Sequence, residues 1–157
     1  MRVENVADHP DVVQVIARWH WDEWGHADPG GSLQSWTAGL ARRMNRDRIP
    51  MTFVAFDDSG APTGSVTLNT HDMRDRADLR HLTPWIAGTF VVPEKRGNGV
   101  GTALMQHAAE EARRLGVQRV YLYTSDARGF YEKLGWAPIQ DDFYESESVT
   151  IMSLALS

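Results

Sequence analysis

The chain contains no cysteine. This removes disulfide frameworks, thiolate zinc sites and cysteine nucleophiles, and it fits a reducing interior. Positive charge is also short: 16 Lys and Arg stand against 21 Asp and Glu, a formal net charge of −5. A general nucleic-acid binder needs a basic face to displace counterions from phosphates, so no nucleic-acid partner is expected. Long apolar runs are missing as well. The most continuous, residues 85–92, falls far short of the roughly 20 residues of a membrane helix. The start Met1-Arg2-Val3-Glu4-Asn5 has no signal-peptide core. Together these absences predict a cytoplasmic chain without a membrane partner.

What is present suffices for one core. The 157 residues are 42% hydrophobic and 24% charged, with 6 Trp, 5 Phe and 4 Tyr, enough apolar surface to fold without staples. No repeat, low-complexity tract or linker divides them, so one domain over residues 1–157 is expected.

Periodicity and turn residues give an order of elements. A short strand near residues 2–6 precedes a helix that Pro10 opens and Gly25 ends, with Val12, Val13, Ile16, Trp19 and His20 recurring on one side. Ser32 suits the N-cap of a second helix reaching about Asn45. Residues 51–56 and 64–68 read as a hairpin. Residues 71–83 read as a polar surface loop. Residues 85–92 and 117–123 read as strands covered on both faces. A helix from about Gly99 to Leu115 joins them, which makes the two strands parallel. A short helix at 127–134, closed by Gly135, and strands at 136–144 and 148–156 complete the order β-α-α-β-β-β-α-β-α-β-β. That describes an α/β fold with a mixed sheet and helices on its faces.

The most informative stretch is Val91-Val92-Pro93-Glu94-Lys95-Arg96-Gly97-Asn98-Gly99-Val100-Gly101-Thr102, where a strand runs through a glycine-rich turn directly into a helix. The first N–H groups of a helix lack intrahelical partners and sit at the positive end of its dipole, and glycine lets a diphosphate approach the backbone. Arg96 adds a forked cationic donor. A P-loop pattern is absent. A dinucleotide-binding G-x-G-x-x-G is incomplete, because Thr102 stands at the third glycine position.

Arg96-Gly97-Asn98-Gly99-Val100-Gly101 instead matches Q/R-x-x-G-x-G/A at each fixed position. With Val91-Val92-Pro93 before it, and with Phe130-Tyr131-Glu132-Lys133-Leu134-Gly135-Trp136 after it, the chain resembles the GNAT superfamily of acyl-CoA-dependent N-acetyltransferases from about Pro84 to Trp136. The resemblance implies a mostly antiparallel twisted sheet with a central splayed parallel pair, and acetyl-CoA as co-substrate. It implies that Phe90 and Val91 pair through their backbone with the pantetheine arm, and that N–H groups of Gly97, Asn98, Gly99, Val100, Gly101 and Thr102, beside Arg96, hold the pyrophosphate. Tyr131 falls where the family tyrosine protonates the departing thiolate, and Trp136 where a packing aromatic is usual. Thr124 replaces the Asn that many members carry seven positions before the tyrosine. The implied reaction is direct acetyl transfer to an amine, most readily a small molecule, in a ternary complex. A homodimer is compatible with the resemblance. A non-catalytic acyl-CoA sensor and an NAD-type binder are the alternatives.

The general base is unassigned, since neither central strand contains a carboxylate. His71, Asp72 and His81 in the preceding loop offer a base or metal ligands, but the spacing fits no metal motif, so none is expected. Trp19 and Trp21 diverge by about 200° on a helix, so one of them is a candidate for the acceptor pocket. Asp141, Asp142, Glu145 and Glu147 are candidates to attract a cationic amine, or simply form a solvated face.

Overall fold

The computed structural model describes residues 1–156. Its elements follow the expected order: β1 (Arg2–Asn5), α1 (Val13–Trp24), α2 (Leu33–Ala41), β2 (Met51–Phe56), β3 (Pro62–Asn69), β4 (Trp85–Val91), α3 (Val100–Arg114), β5 (Arg119–Thr124), α4 (Arg128–Lys133), β6 (Ala137–Tyr144) and β7 (Glu147–Ala155). The strands form one seven-stranded sheet in the order β1-β2-β3-β4-β5-β7-β6. All neighbours are antiparallel except β4 and β5.

The period of two along each strand sorts side chains between two helical layers. Phe53 and Ala55 of β2 and Val66 and Leu68 of β3 pack with Leu104, Met105, Ala108 and Ala112 of α3. Val54 and Phe56 point the other way, into a cluster with Val13, Ile16 and Ala17 of α1 and Leu40 of α2. Helix α2 starts as expected: Ser32 Oγ accepts from Ser35 N at 3.0 Å and Ser35 Oγ accepts from Ser32 N at 2.9 Å. It stops at Ala41, short of the expected Asn45, because the chain turns back and Met44 bridges to Met51. Gly25 follows α1 in a right-handed conformation, φ −60°, and the chain continues as a 3-10 turn through Ala27. Its missing side chain serves packing instead, since a Cβ there would lie 2.5 Å from the Trp21 ring.

Two expectations fail in ways that create the site. Residues 85–92 are not covered on both faces: within β4 only Trp85 and Ile86 are buried, and residues 87–91 are partly open. The cause is that β4 and β5 diverge. Trp85 pairs with Tyr121, and no further β4–β5 pair exists among the described residues. β5 alternates instead, with Val120, Leu122 and Thr124 buried and Tyr121 and Tyr123 half-buried. The loop 71–83 is not simply a polar surface segment. Met73 and Leu79, 2% and 4% exposed, pack in a cluster with Trp85, Val149 and Ile151. Arg76 forks onto Asp142 at 3.0 and 2.9 Å, fixing the loop against the last hairpin.

Candidate active site

Beyond Val91 the chain makes a 3-10 turn, Pro93–Lys95, and then enters α3 through Gly97 and Gly99, whose φ angles are +80° and +85°. Glycine is the residue that adopts this left-handed region without strain. Gly99 is the N-cap of α3 and offers no side chain to the helix's first N–H groups, so those donors face outward at the positive end of the dipole. A Cβ at Gly97 or Gly99 would meet nothing within 4 Å, so the space before the turn is open. Arg96 Nε donates to the Val91 carbonyl at 2.9 Å and its guanidinium lies 5.6 Å from the Phe90 ring centroid, which fixes the fork beside the turn. Asn98 closes the turn by donating to the Lys95 and Arg96 carbonyls, each at 3.2 Å.

The resulting groove, about 560 Å³, is lined by Phe90, Val91, Arg96, Gly97, Gly99, Val100, Gly101 and Thr102, together with Phe130 of α4. Asn98 is the one sequence-predicted groove residue outside this lining. One wall is β4, whose edge toward β5 is unpaired past Trp85 among the described residues, so its backbone groups remain available to an extended ligand.

A larger cleft of about 1570 Å³ opens on the α1/α2 face. His20 and Trp24 of α1, Trp36 of α2, Arg43 just beyond it, the loop from His71 to Arg76, and the turn from Tyr144 to Glu147 form its walls. Its floor includes Thr67, Gly88 and Tyr123. Groove and cleft share Glu23, Trp24 and Thr89 and therefore meet there. Tyr131 lines the cleft beside Thr89 at this junction, and the Thr89 hydroxyl itself donates to Met105 Sδ at 3.5 Å. Burial raises the Tyr131 phenol above the ordinary value, against the opposing influence of the neighbouring Thr89 hydroxyl, so Tyr131 is a hydroxyl donor at neutral pH.

Two further groups in the cleft are electrostatically perturbed. Burial pushes the Asp72 carboxyl up to about 6, against the Met73 N–H that it accepts at 2.9 Å and the positive field of Arg43. Burial and the same guanidinium bring His20 down to about 4. The imidazole is therefore neutral at pH 7; its Nε2 lies 3.0 Å from Ser65 Oγ, and its ring packs beside Gly88, where a Cβ would lie 3.5 Å from His20 Cε1. Gly88 itself is a left-handed residue, φ +62°, opposite the register shift in β3. His20 thus braces the β4 irregularity where groove and cleft approach each other.

The other sequence candidates separate cleanly. Trp19 stacks on Phe90 at 5.5 Å and Trp21 meets Trp36 edge-on at 5.8 Å. Neither lines the cleft, whereas Trp24 and Trp36 do. His71 is an exposed cleft residue whose Nε2 bonds to the Arg80 carbonyl at 3.0 Å, and His81 is exposed outside the cleft. No group of three or more residues suited to a metal ion occurs among the described residues. Asp142 is committed to Arg76, while Glu145 and Glu147 reach the cleft. Thr124 Oγ1 accepts from Ala127 N at 2.9 Å, holding the start of α4. Phe130, His20 and Arg43 were not singled out as site residues from sequence. Phe130 had a local signal, its place beside Tyr131; the other two are recognisable only once α1 and α2 are seen against the sheet.

Fold and site together define a class: an acyl-CoA-dependent transferase, with its one parallel strand pair splayed beside a glycine-lined helix start. The sequence profile of the Acetyltransferase (GNAT) family matches residues 13–136, and the chain belongs to that family. It is an N-acetyltransferase with acetyl-CoA as co-substrate. Among curated protein sequences none matches the chain. Among solved structures, an aminoglycoside 6'-N-acetyltransferase complexed with coenzyme A aligns with TM-score 0.77 at 15% identity, covering 100% of this chain and 98% of that one. Spermidine N-acetyltransferase from Vibrio cholerae, in complex with CoA and spermine, aligns at 0.75 and 16%, covering 99% and 95%. Nourseothricin acetyltransferase aligns at 0.57 and 27%, covering 71% and 68%. No helix of the described residues is long and apolar enough to cross a membrane.

Proposed function

We propose that this chain acetylates a small-molecule amine in the cytoplasm by direct attack within a ternary complex. The observation that carries this reading is the junction: a groove suited to an extended, diphosphate-bearing ligand opens into a separate cleft at Thr89, beside the Tyr131 hydroxyl. Outward N–H groups at residues 97–102 hold the pyrophosphate, with Arg96 beside it, and the free edge of β4 at Phe90 and Val91 takes the pantetheine arm. Acetyltransferase structures of the same fold bind coenzyme A, and two carry names of small-molecule amine substrates.

The amine arrives mostly protonated, since alkylamines titrate near 10. Asp72 takes that proton, directly or through one water. The nitrogen lone pair attacks the thioester carbonyl and the C–N bond forms. The C–S bond then breaks, and the departing thiolate receives the Tyr131 proton. The acylated nitrogen gives up its second proton, which restores the Tyr131 phenol through solvent, and Asp72 returns the first proton to water. Confining both reactants at the junction supplies the proximity contribution. No covalent enzyme intermediate forms, and cysteine is absent as a carrier. Membership of an acetyltransferase family favours this reading over the acyl-CoA sensor and the NAD-type binder.

The test is acetyl-CoA-dependent release of CoA thiol across a panel of amines, with calorimetric binding of coenzyme A. Initial-rate patterns should intersect. Parallel patterns with an isolable acetyl-enzyme contradict direct transfer, and absence of CoA binding removes the whole reading. Gly99→Ala separates the groove from the cleft. The new Cβ meets no protein atom within 4 Å and projects into the ligand space, so KM for acetyl-CoA should rise about tenfold, the equivalent of about 1.4 kcal/mol. The left-handed φ adds roughly 1 kcal/mol of destabilisation. An unchanged KM means that the turn does not touch the coenzyme.

A further inference from the structure

Of the charged groups in the acceptor cleft that the mechanism above does not use, Arg43 stands apart. Arg43 follows α2, is half-buried, and lines the cleft. Its guanidinium makes no side-chain hydrogen bond and no ion pair among the described residues. Other cleft arginines differ. Arg76 is forked onto Asp142 and also bonds Asp78, Arg74 lies 3.9 Å from Asp28, and Arg42 and Arg80 are exposed to water.

Among the described residues no buried side-chain nitrogen lacks a partner, so the Arg43 donors still meet water in the cleft. A half-buried guanidinium held by no protein acceptor is nonetheless free to take an anion brought by a ligand. Burial lowers the Arg43 pKa, and Asp72 only partly opposes that. Asp72 shares the cleft with Arg43 but forms no ion pair with it. The cleft therefore holds a half-buried guanidinium outside any ion pair and, separately, the half-buried Asp72 carboxylate, with the indoles of Trp24 and Trp36 also on its walls. An ammonium at Asp72 and a carboxylate at Arg43 complete both. The planar guanidinium fork suits a carboxylate better than a point cation does. Glu145 and Glu147 are exposed at the rim, where water already solvates them.

We propose that Arg43 binds a carboxylate of the acceptor, so that the substrate is an amino-carboxylate, an amine and an acid on one small molecule, in preference to a polycationic amine. This inference rests on the acetyltransfer reading above and names the substrate class for it.

The experiment compares matched acceptors with the wild-type chain and acetyl-CoA: phenylalanine against phenylalaninamide, methionine against methioninamide, and spermidine as the polycation. Wild type should use each acid over its amide by about 10- to 100-fold in kcat/KM, the span of a charge-assisted hydrogen-bonded pair. Arg43→Gln should bring that ratio close to one, and Arg43→Lys should restore part of it. A purely structural effect, or an effect transmitted through Asp72, lowers acid and amide together and leaves the ratio unchanged. Equal use of acid and amide by wild type, preference for spermidine, or an unchanged ratio in Arg43→Gln overturns the inference. Acetyl-CoA binding without acetylation of any amino-carboxylate also overturns it. Failure to bind acetyl-CoA overturns the acetyltransfer reading itself, and calorimetry distinguishes that outcome from the others.

Discussion

Asp72→Asn should lower kcat/KM by about 10²- to 10⁴-fold for every accepted amine, the usual contribution of a general base, while making the protein more stable at pH 7. Both effects come from one cause. The carboxyl is pushed up to about 6 from an ordinary 3.8 by burial, so the folded state holds its proton more tightly than the unfolded chain does. At pH 7 Asp72 is ionised in both states, and its folded form carries the cost of a desolvated charge, on the order of 1 to 3 kcal/mol. Asn removes that cost. As pH falls from about 6 toward 4, native Asp72 takes up its proton first and wild type gains stability relative to the variant. The melting-temperature advantage of Asp72→Asn should therefore be largest at pH 7 and shrink toward pH 4. His20 acts in the opposite sense, because its folded value of about 4 lies below 6.5. Its contribution is present above 6.5 and is lost as pH falls toward 4, but it is common to both proteins and cancels in their difference.

The same shift sets the acid limb of the rate profile. Arg43, Arg74 and Glu145 are the charged groups that act on Asp72, and Tyr123 and Tyr144 also lie in its field. Wild-type kcat/KM should fall below a point near pH 6, where Asp72 becomes protonated. In Asp72→Asn only the already neutral amine reacts, so the residual rate should climb roughly tenfold per pH unit toward the amine's own pKa, about 10 for an alkylamine. A variant that retains the wild-type acid limb and wild-type rates shows that the base is elsewhere, with His20 the next group in the cleft to examine.

How far the sequence announced this site follows from how local each part is. The glycine turn, Arg96 and Tyr131 sit within short contiguous segments, so a strand-turn-helix pattern marked the anion-binding turn and the resemblance to the GNAT superfamily supplied the expected role of Tyr131. The acceptor cleft has no such segment. His20, Arg43, Asp72, Tyr123 and Glu145 come from α1, the end of α2, a loop, β5 and a hairpin turn, and are brought together by the sheet. Asp72 was visible as a loop carboxylate but not as a half-buried, desolvated one, because Met73, Leu79 and Leu82, which pack that loop inward, follow neither a strand nor a helical period. The run 85–92 was misjudged for a related reason. An apolar strand rich in small residues fits a ligand-facing edge as well as a covered one, and only the divergence of β4 from β5 decides between them.

Tyr131→Phe should lower kcat by about 10- to 100-fold while leaving the affinity for coenzyme A nearly unchanged. The substitution keeps the ring and therefore its contacts with Phe130 at 5.1 Å and Trp136 at 6.4 Å, so only the hydroxyl is lost. That hydroxyl lies outside the coenzyme groove lining and faces the cleft beside Thr89, which is why binding survives. Its work begins when the C–S bond breaks and charge collects on sulfur, and a hydrogen bond to a charged acceptor is worth about 1.5 to 3 kcal/mol. Burial holds the phenol above its ordinary value, so the proton stays in place across the working range and the wild-type profile should show no alkaline loss of activity below pH 10 from this group. Thr89→Val removes the hydroxyl that acts on the phenol at the junction and should cost less than Tyr131→Phe. Full turnover in Tyr131→Phe assigns thiolate protonation to solvent and leaves Tyr131 as a packing residue of α4.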